Sequence, residues 1–132
     1  MAEKRFVFFD VDDNNFSSRL NKNADWEPKM NIIVSDKLLI VEIEIPGVDK
    51  DDVEVLMQAD NELIIKGIKK QPKIGEIQYD YYIFEREFGY FFKKITIDFP
   101  VNVEKIFSEL ENGVLRIEIP KKKTEKVSIE VK

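Results

Sequence analysis

The chain of 132 residues has no histidine and no cysteine, and only five glycines and five prolines. Each shortage excludes a kind of chemistry. Without histidine there is no imidazole general base, no Ser-His-Asp triad, and none of the commonest metal ligand. Without cysteine there is no disulfide framework and no thiolate chemistry. That suits a reducing compartment, and the cytoplasm is the expected location. The glycines are scattered, so no glycine-rich loop cradles a phosphate. No nucleotide, metal or other cofactor is expected, and no catalytic set is visible. No apolar run approaches the ~18 residues of a membrane helix. The stretch 6–9 is only four apolar residues long, where a signal peptide needs about 7–15.

A surplus of positive charge is also missing. The net charge is −5 and the sequence pI about 4.9, which argues against nucleic acid as a partner, because phosphate contacts need extra Lys and Arg. The charge is unevenly spread: residues 1–26 carry −1, residues 27–120 carry −7, and residues 121–132 carry +3. Carboxylates are plentiful, and a run of them is ordinarily a solvated face. Asp10, Asp12 and Asn14 have the spacing of a calcium loop. Its sixth position would be Asn15 in place of glycine and its twelfth Asn21 in place of glutamate, so no calcium site is expected.

What is present is β pattern. A β character begins at Pro28. In 38–45, Leu39, Val41, Ile43 and Ile45 share one face while Glu42 and Glu44 take the other, a period of two. Pro46-Gly47 stops that strand. Alternation returns over 53–59 and continues past the Asp60-Asn61 turn signal into 63–68. Residues 71–79, with Pro72 and Gly75, form a long loop with room for a short strand of its own. A strand is expected over the aromatic-rich 81–88, another over 91–97, and one helical turn over 103–106. Asn112-Gly113 joins the strands 107–111 and 114–119; this dipeptide is the strongest short hairpin signal, because both residues tolerate positive φ. About eight short strands without a long helical period predict an all-β, immunoglobulin-like antiparallel sandwich. Three zones are expected: an N-terminal arm (1–26), the sandwich (27–120) and a C-terminal tail (121–132).

Three features stand outside the sandwich pattern. The arm holds Phe6, Phe8, Phe9, Phe16 and Trp26 among acids and amides. These rings either dock on their own domain or contact apolar surface on other proteins; so many large aromatics imply a covering surface. The tail ends in Ile129-Glu130-Val131, whose two β-branched residues point the same way from an extended strand. Such a segment is able to add to the sheet edge of another subunit, or to fray. The loop 71–79 is longer than a hairpin needs, and serves either as a surface loop or as a carrier of an edge strand to a partner.

At this point the residues resemble the small heat-shock proteins, whose core is the α-crystallin domain. The resemblance runs from Trp26 to the end. Leu110-Glu111-Asn112-Gly113-Val114-Leu115, closed by Pro120, is similar to the family's A-x-x-x-N-G-V-L hairpin, with Ser108 where alanine is usual. Ile45-Pro46-Gly47-Val48 followed by Asp51-Asp52-Val53 resembles its L-P-G turn. Glu85-Arg86-Glu87-Phe88-Gly89-Tyr90-Phe91 resembles its E-R-x-[FY]-G-x-F signature, and Ile129-Glu130-Val131 its terminal I-x-I/V motif. Lys93 stands where an arginine is common and lacks that residue's planar fork. Asp98 replaces a usual proline, and the arm is short.

The resemblance implies an ATP-independent holdase that binds partly unfolded proteins and prevents their aggregation. It implies a dimer as the building block of a larger homo-oligomer, with the loop around Ile77, Tyr79 and Tyr81 pairing with a neighbouring subunit. It implies that Ile129 and Val131 enter a groove on another dimer, lined by Val53, Val55, Met57, Ser108 and Leu110, which alternatively belong to the core. Clients would meet Phe6, Phe8, Phe9, Phe16 and Trp26. The rival readings are a monomeric fixed-partner adaptor of the CS-domain kind and an enzyme with an unrecognised site.

Overall fold

A computed structural model of the chain describes residues 24–59, 61–123 and 127–132. Seven strands follow in order: β1 (Met30–Val34), β2 (Leu38–Glu44), β3 (Val53–Gln58), β4 (Glu62–Lys69), β5 (Gly89–Thr96), β6 (Phe107–Glu111) and β7 (Val114–Pro120). The helix among the described residues is confined to two single 3-10 turns, Lys50–Asp52 and Val103–Lys105. The strands form two antiparallel sheets, β1-β2-β7-β6 and β3-β4-β5. The all-β sandwich expected from the alternation is the observed fold.

The register shows why these residues choose these strands. Across β2 and β7, Leu39 pairs with Ile119, Val41 with Ile117 and Ile43 with Leu115, and all six side chains are buried. Between them Glu42 pairs with Arg116 on the other face. A slip of one residue would put every apolar side chain in water and every charge in the core, so the pattern fixes the pairing. The β3-β4-β5 sheet supplies Leu63, Ile65, Phe91 and Ile95 to the same core cluster. Burying one such side chain contributes roughly 1.5–3 kcal/mol.

Two turns brace one another. Asn112 and Gly113 have φ of 54° and 79°, as a type I′ hairpin requires. The Gly113 carbonyl accepts a hydrogen bond from the Ile45 N–H at 2.8 Å. A Cβ on Gly113 would stand 3.0 Å from Pro46 Cα. The Pro46-Gly47 turn and the Asn112-Gly113 hairpin, remote in sequence, are therefore in contact.

The sandwich reaches back to Asp25. The N–H groups of Asp25 and Trp26 both donate to the Tyr90 carbonyl, at 2.8 and 3.3 Å. The Tyr90 N–H donates in return to the Asp25 carboxylate at 2.8 Å. Gly89 has a φ of +107°, and a side chain there would collide with that carboxylate.

The structure departs from the expected strands in three places. Residues 81–88 form no strand; their aromatic and β-branched composition supplies propensity, but a strand needs a neighbouring edge, and none of the described residues pairs with them. The strand expected over 53–59 stops at Gln58, because Ala59 has a φ of 54° and begins the turn. The β character at Pro28 resolves into β1, paired with β2 from Met30↔Ile43 to Val34↔Leu39. The count is thus seven strands among the described residues, where about eight were expected.

Candidate functional site

The two sheets have four edge strands, β1 and β6 in one and β3 and β5 in the other, and the groove candidates lie on β3 and β6. Register tells which of their residues face inward. Val53, Val55 and Met57 lie opposite Gly67, Ile65 and Leu63, and Ile65 and Leu63 are core residues. Ser108 and Leu110 lie opposite Ile117 and Leu115, also core residues. All five groove candidates therefore sit on inner faces. Yet Val53, Val55, Met57 and Leu110 are only half-buried and Ser108 is exposed. An inward-facing position that remains accessible marks an edge where the sandwich lacks a covering layer.

The second open feature is the loop 70–88. It contains no strand, and nearly all of it is exposed. Ile77, Tyr79 and Tyr81 lie in it, with Ile74, Tyr82, Ile83 and Phe84 exposed beside them. Its aromatic rings contact each other edge to face. Tyr79 and Tyr81 have centroids 5.6 Å apart, and Tyr81 and Phe84 are at 4.8 Å. The Tyr81 hydroxyl donates to Gln71 Oε1 at 3.5 Å. Its phenol titrates above the ordinary value, first because water is partly displaced around it and then through its hydrogen bond to Tyr79. At its base, Lys69 reaches over the rings of Trp26 and Phe88, at 5.4 and 5.7 Å. Such cation–π contacts let a buried lysine keep its charge partly satisfied.

Of the arm, Phe6, Phe8, Phe9 and Phe16 lie outside the described residues. Trp26 is half-buried. Its indole N–H donates to the Gly89 carbonyl at 3.0 Å, and its ring stands edge-on to Phe91 at 5.4 Å. At the other end, Ile129 is 83% and Val131 92% exposed. They share no site with Val53, Val55, Met57, Ser108 and Leu110 within one chain.

Charge decorates the outer surfaces. Arg116 Nε donates to Glu118 and its Nη1 to Glu42, both at 2.9 Å. The hydrogen bond to Glu118 leads the effects that raise the guanidinium above its usual value. Lys93 is the exception: it lies opposite Ile65 on the inner side of the edge strand β5 and pairs within the chain with Glu27 at 3.2 Å. Among the described residues no cluster of acidic side chains is arranged to hold a metal ion, and no helix is long and apolar enough to cross a membrane.

Some of these features escaped the sequence. Lys69 is buried at the end of β4, one residue past the strand expected over 63–68. Ile64 and Phe92 are buried on the face of their sheet opposite the core. Their signal was present, since Leu63-Ile64-Ile65 and Phe91-Phe92 break period two, as strands covered on both faces do.

The profile of the Hsp20/alpha crystallin family matches residues 31–132. The chain belongs to this family. Small heat shock protein C2 of Rickettsia felis is 35% identical over 118 residues, covering 86% of this chain and 73% of that protein. Small heat shock protein C4 of the same organism is 30% identical over 104 residues, and there the chain spans 63% of the relative's length. A small heat-shock protein from Xylella fastidiosa, described as having a distinct high order structure, superposes with a TM-score of 0.70 at 28% identity, covering 83% of this chain and 99% of that one. Membership of the Hsp20/alpha crystallin family carries a chaperone role and assigns the sandwich to the α-crystallin type.

Proposed function

We propose that the protein is an ATP-independent holdase, which binds partly unfolded polypeptides and keeps them from aggregating. One observation carries the reading. The inner faces of the edge strands β3 and β6 are left partly open, while apolar segments of the same chain, the 70–88 loop and the Ile129-Glu130-Val131 tail, stand exposed. A monomer that kept so much apolar surface in water would be prone to associate. A chaperone that assembles with itself and with clients makes use of it.

The assembly has two contacts. The loop around Ile77, Tyr79 and Tyr81 adds as a strand to a second copy, forming a dimer. Ile129 and Val131, two residues apart and therefore on one side of an extended segment, fill the open inner face along Val53, Val55, Met57, Ser108 and Leu110 of another dimer. Clients meet Phe6, Phe8, Phe9 and Phe16, with half-buried Trp26 at the root of the arm, and any groove from which a tail has left. The driving force is mass action. Capture of transiently exposed apolar surface removes unfolded chains from the pool that aggregates. Contacts through aromatic and methionine side chains are non-directional, so a broad range of clients is expected. The cytoplasm is the compartment we assign to a chain without cysteine.

The test is light scattering of a heat-labile reporter enzyme warmed with the protein and no nucleotide. Suppression near equal subunit ratios is the expected result. Undiminished scattering, at temperatures where the protein is folded, overturns the holdase reading in favour of a fixed-partner adaptor.

A further inference from the structure

Two apolar positions on the outer side of the β3-β4-β5 sheet, Ile64 and Phe92, are buried where a two-layer sandwich leaves such positions bare. Register sets the sides. Val55↔Ile65 and Leu63↔Ile95 face the other sheet, so Leu56↔Ile64↔Lys94 and Lys66↔Phe92, one position along, face away from it. Such positions belong to solvent when nothing lies over them. Ile64 is nevertheless 4% and Phe92 6% exposed, and neither belongs to the core cluster. On the same face the Lys94 side chain is 11% exposed, paired with Glu62 at 3.0 Å. An enclosed lysine is out of place on an uncovered sheet. Part of this face, around Ile64 and Phe92, is thus enclosed, while Glu54, Leu56, Lys66, Tyr90 and Thr96 on the same side stay exposed.

The described chain begins at the place a cover would start. A cleft of about 800 Å³ opens at one end of the sheet, between Asp52, Val53, Gly67, Tyr90 and Phe92, and Ala24 is part of its wall. The hydrogen bonds from Asp25 and Trp26 to Tyr90 hold the chain there. Residues 1–23 therefore continue from the edge of this face. They carry Phe6, Phe8, Phe9 and Phe16, and Lys4-Arg5 immediately before the first of them; the cleft is lined by three acids, Asp51, Asp52 and Glu54, and one base, Lys66, with Glu54 paired to Lys66 at 3.9 Å and Asp52 to Lys70 at 3.3 Å. The sixteen residue steps from Phe8 to Ala24 reach up to about 55 Å when extended. A strand as long as β4 spans roughly 27 Å, so the whole face is within range.

We propose that residues 1–23 dock on the outer face of the β3-β4-β5 sheet of their own chain, with the phenylalanines covering Ile64 and Phe92 and Lys4-Arg5 meeting the acids that line the cleft. The tether gives this segment a high effective concentration against any free competitor. Arm and sheet face thus mask each other, and undocking uncovers two apolar surfaces together. That last step rests on the holdase reading; the docking does not.

The absence of cysteine makes a clean test available in the full-length chain. Phe8→Cys is combined with Leu56→Cys on the outer face. In the control it is combined with Ile33→Cys, an exposed apolar position on the outer side of the other sheet. Under mild oxidation in dilute solution, the Leu56→Cys pair is expected to close within one chain at least ~10-fold faster than the control, the proximity advantage a tethered contact confers. Equal rates, or disulfides formed only between chains, would overturn the proposal. Should Leu56→Cys disturb folding, Thr96→Cys, exposed on the same face, replaces it under the same criterion. The closed pair is then expected to suppress reporter aggregation several-fold less than its reduced form. Fast closure in a chain that protects no client either way supports the docking and removes the holdase reading, so the two fail separately.

Discussion

Ile117-Glu118-Ile119 and Ile129-Glu130-Val131 are almost the same tripeptide, twelve residues apart. In β7 both isoleucines are fully buried, and in the tail Ile129 and Val131 are among the most exposed apolar side chains described. Local chemistry does not separate them. Strand β7 lies between β2 and β6, whereas residues 127–132 have no strand beside them. Alternating hydrophobicity is thus a requirement for a neighbour rather than a description of one. Where the chain supplies the edge, the pattern becomes core. Where it does not, the pattern remains open for a second molecule. The aromatic loop 70–88 belongs with the tail in this respect, and β5 with β7.

The contrast breaks most sharply at its buried end. Ile117→Ala is expected to cost about 2–5 kcal/mol of folding stability, measured by denaturant unfolding. Ile129→Ala is expected to stay within roughly 0.5 kcal/mol of wild type; equal losses at the two sites would abolish the distinction. Next comes the loop. Replacing Ile77 and Tyr79 by Gly and Ser is expected to convert the assembly to monomers while the circular dichroism of the sandwich is retained. A particle still at oligomer size would show that the loop is not the dimer contact. The tail follows: Ile129→Gly with Val131→Gly is expected to reduce the particle toward dimers in size-exclusion chromatography with light scattering, without lowering the unfolding midpoint. An unchanged size removes the tail from assembly. The smallest effect is within the fold. Gly113→Ala forces a Cβ into left-handed backbone at a cost of about 1–2 kcal/mol, next to Pro46, and is expected to lower the midpoint of unfolding without changing particle size.

Much of the fold was legible, for reasons the same contrast explains. Strands β2 and β7 are half-exposed, so one face must be apolar and the other charged, and their sequences alternate. Asn112-Gly113 announced its hairpin because few other dipeptides accept positive φ twice. The strand expected over 81–88 failed because propensity was present and a neighbouring edge was not. Strand β1 was missed as a separate element because Ile32 and Ile33 blur its alternation. At the candidate site, period two put Val53, Val55 and Met57 on one side of a strand, and the register turns that side inward; that these side chains are only half-buried was invisible, since it depends on the sheet ending at β3. The burial of Ile64 and Phe92 was written in Leu63-Ile64-Ile65 and Phe91-Phe92, but an apolar pair in a strand does not reveal what encloses it.

The central claim is that the exposed loop and tail are contacts awaiting further copies of the chain. Native mass measurement of the wild-type protein at micromolar concentration tests it most directly. The account predicts even multiples of the 15.6 kDa chain, larger than a dimer and falling to the dimer on dilution. A single species at 15.6 kDa across that range would contradict it.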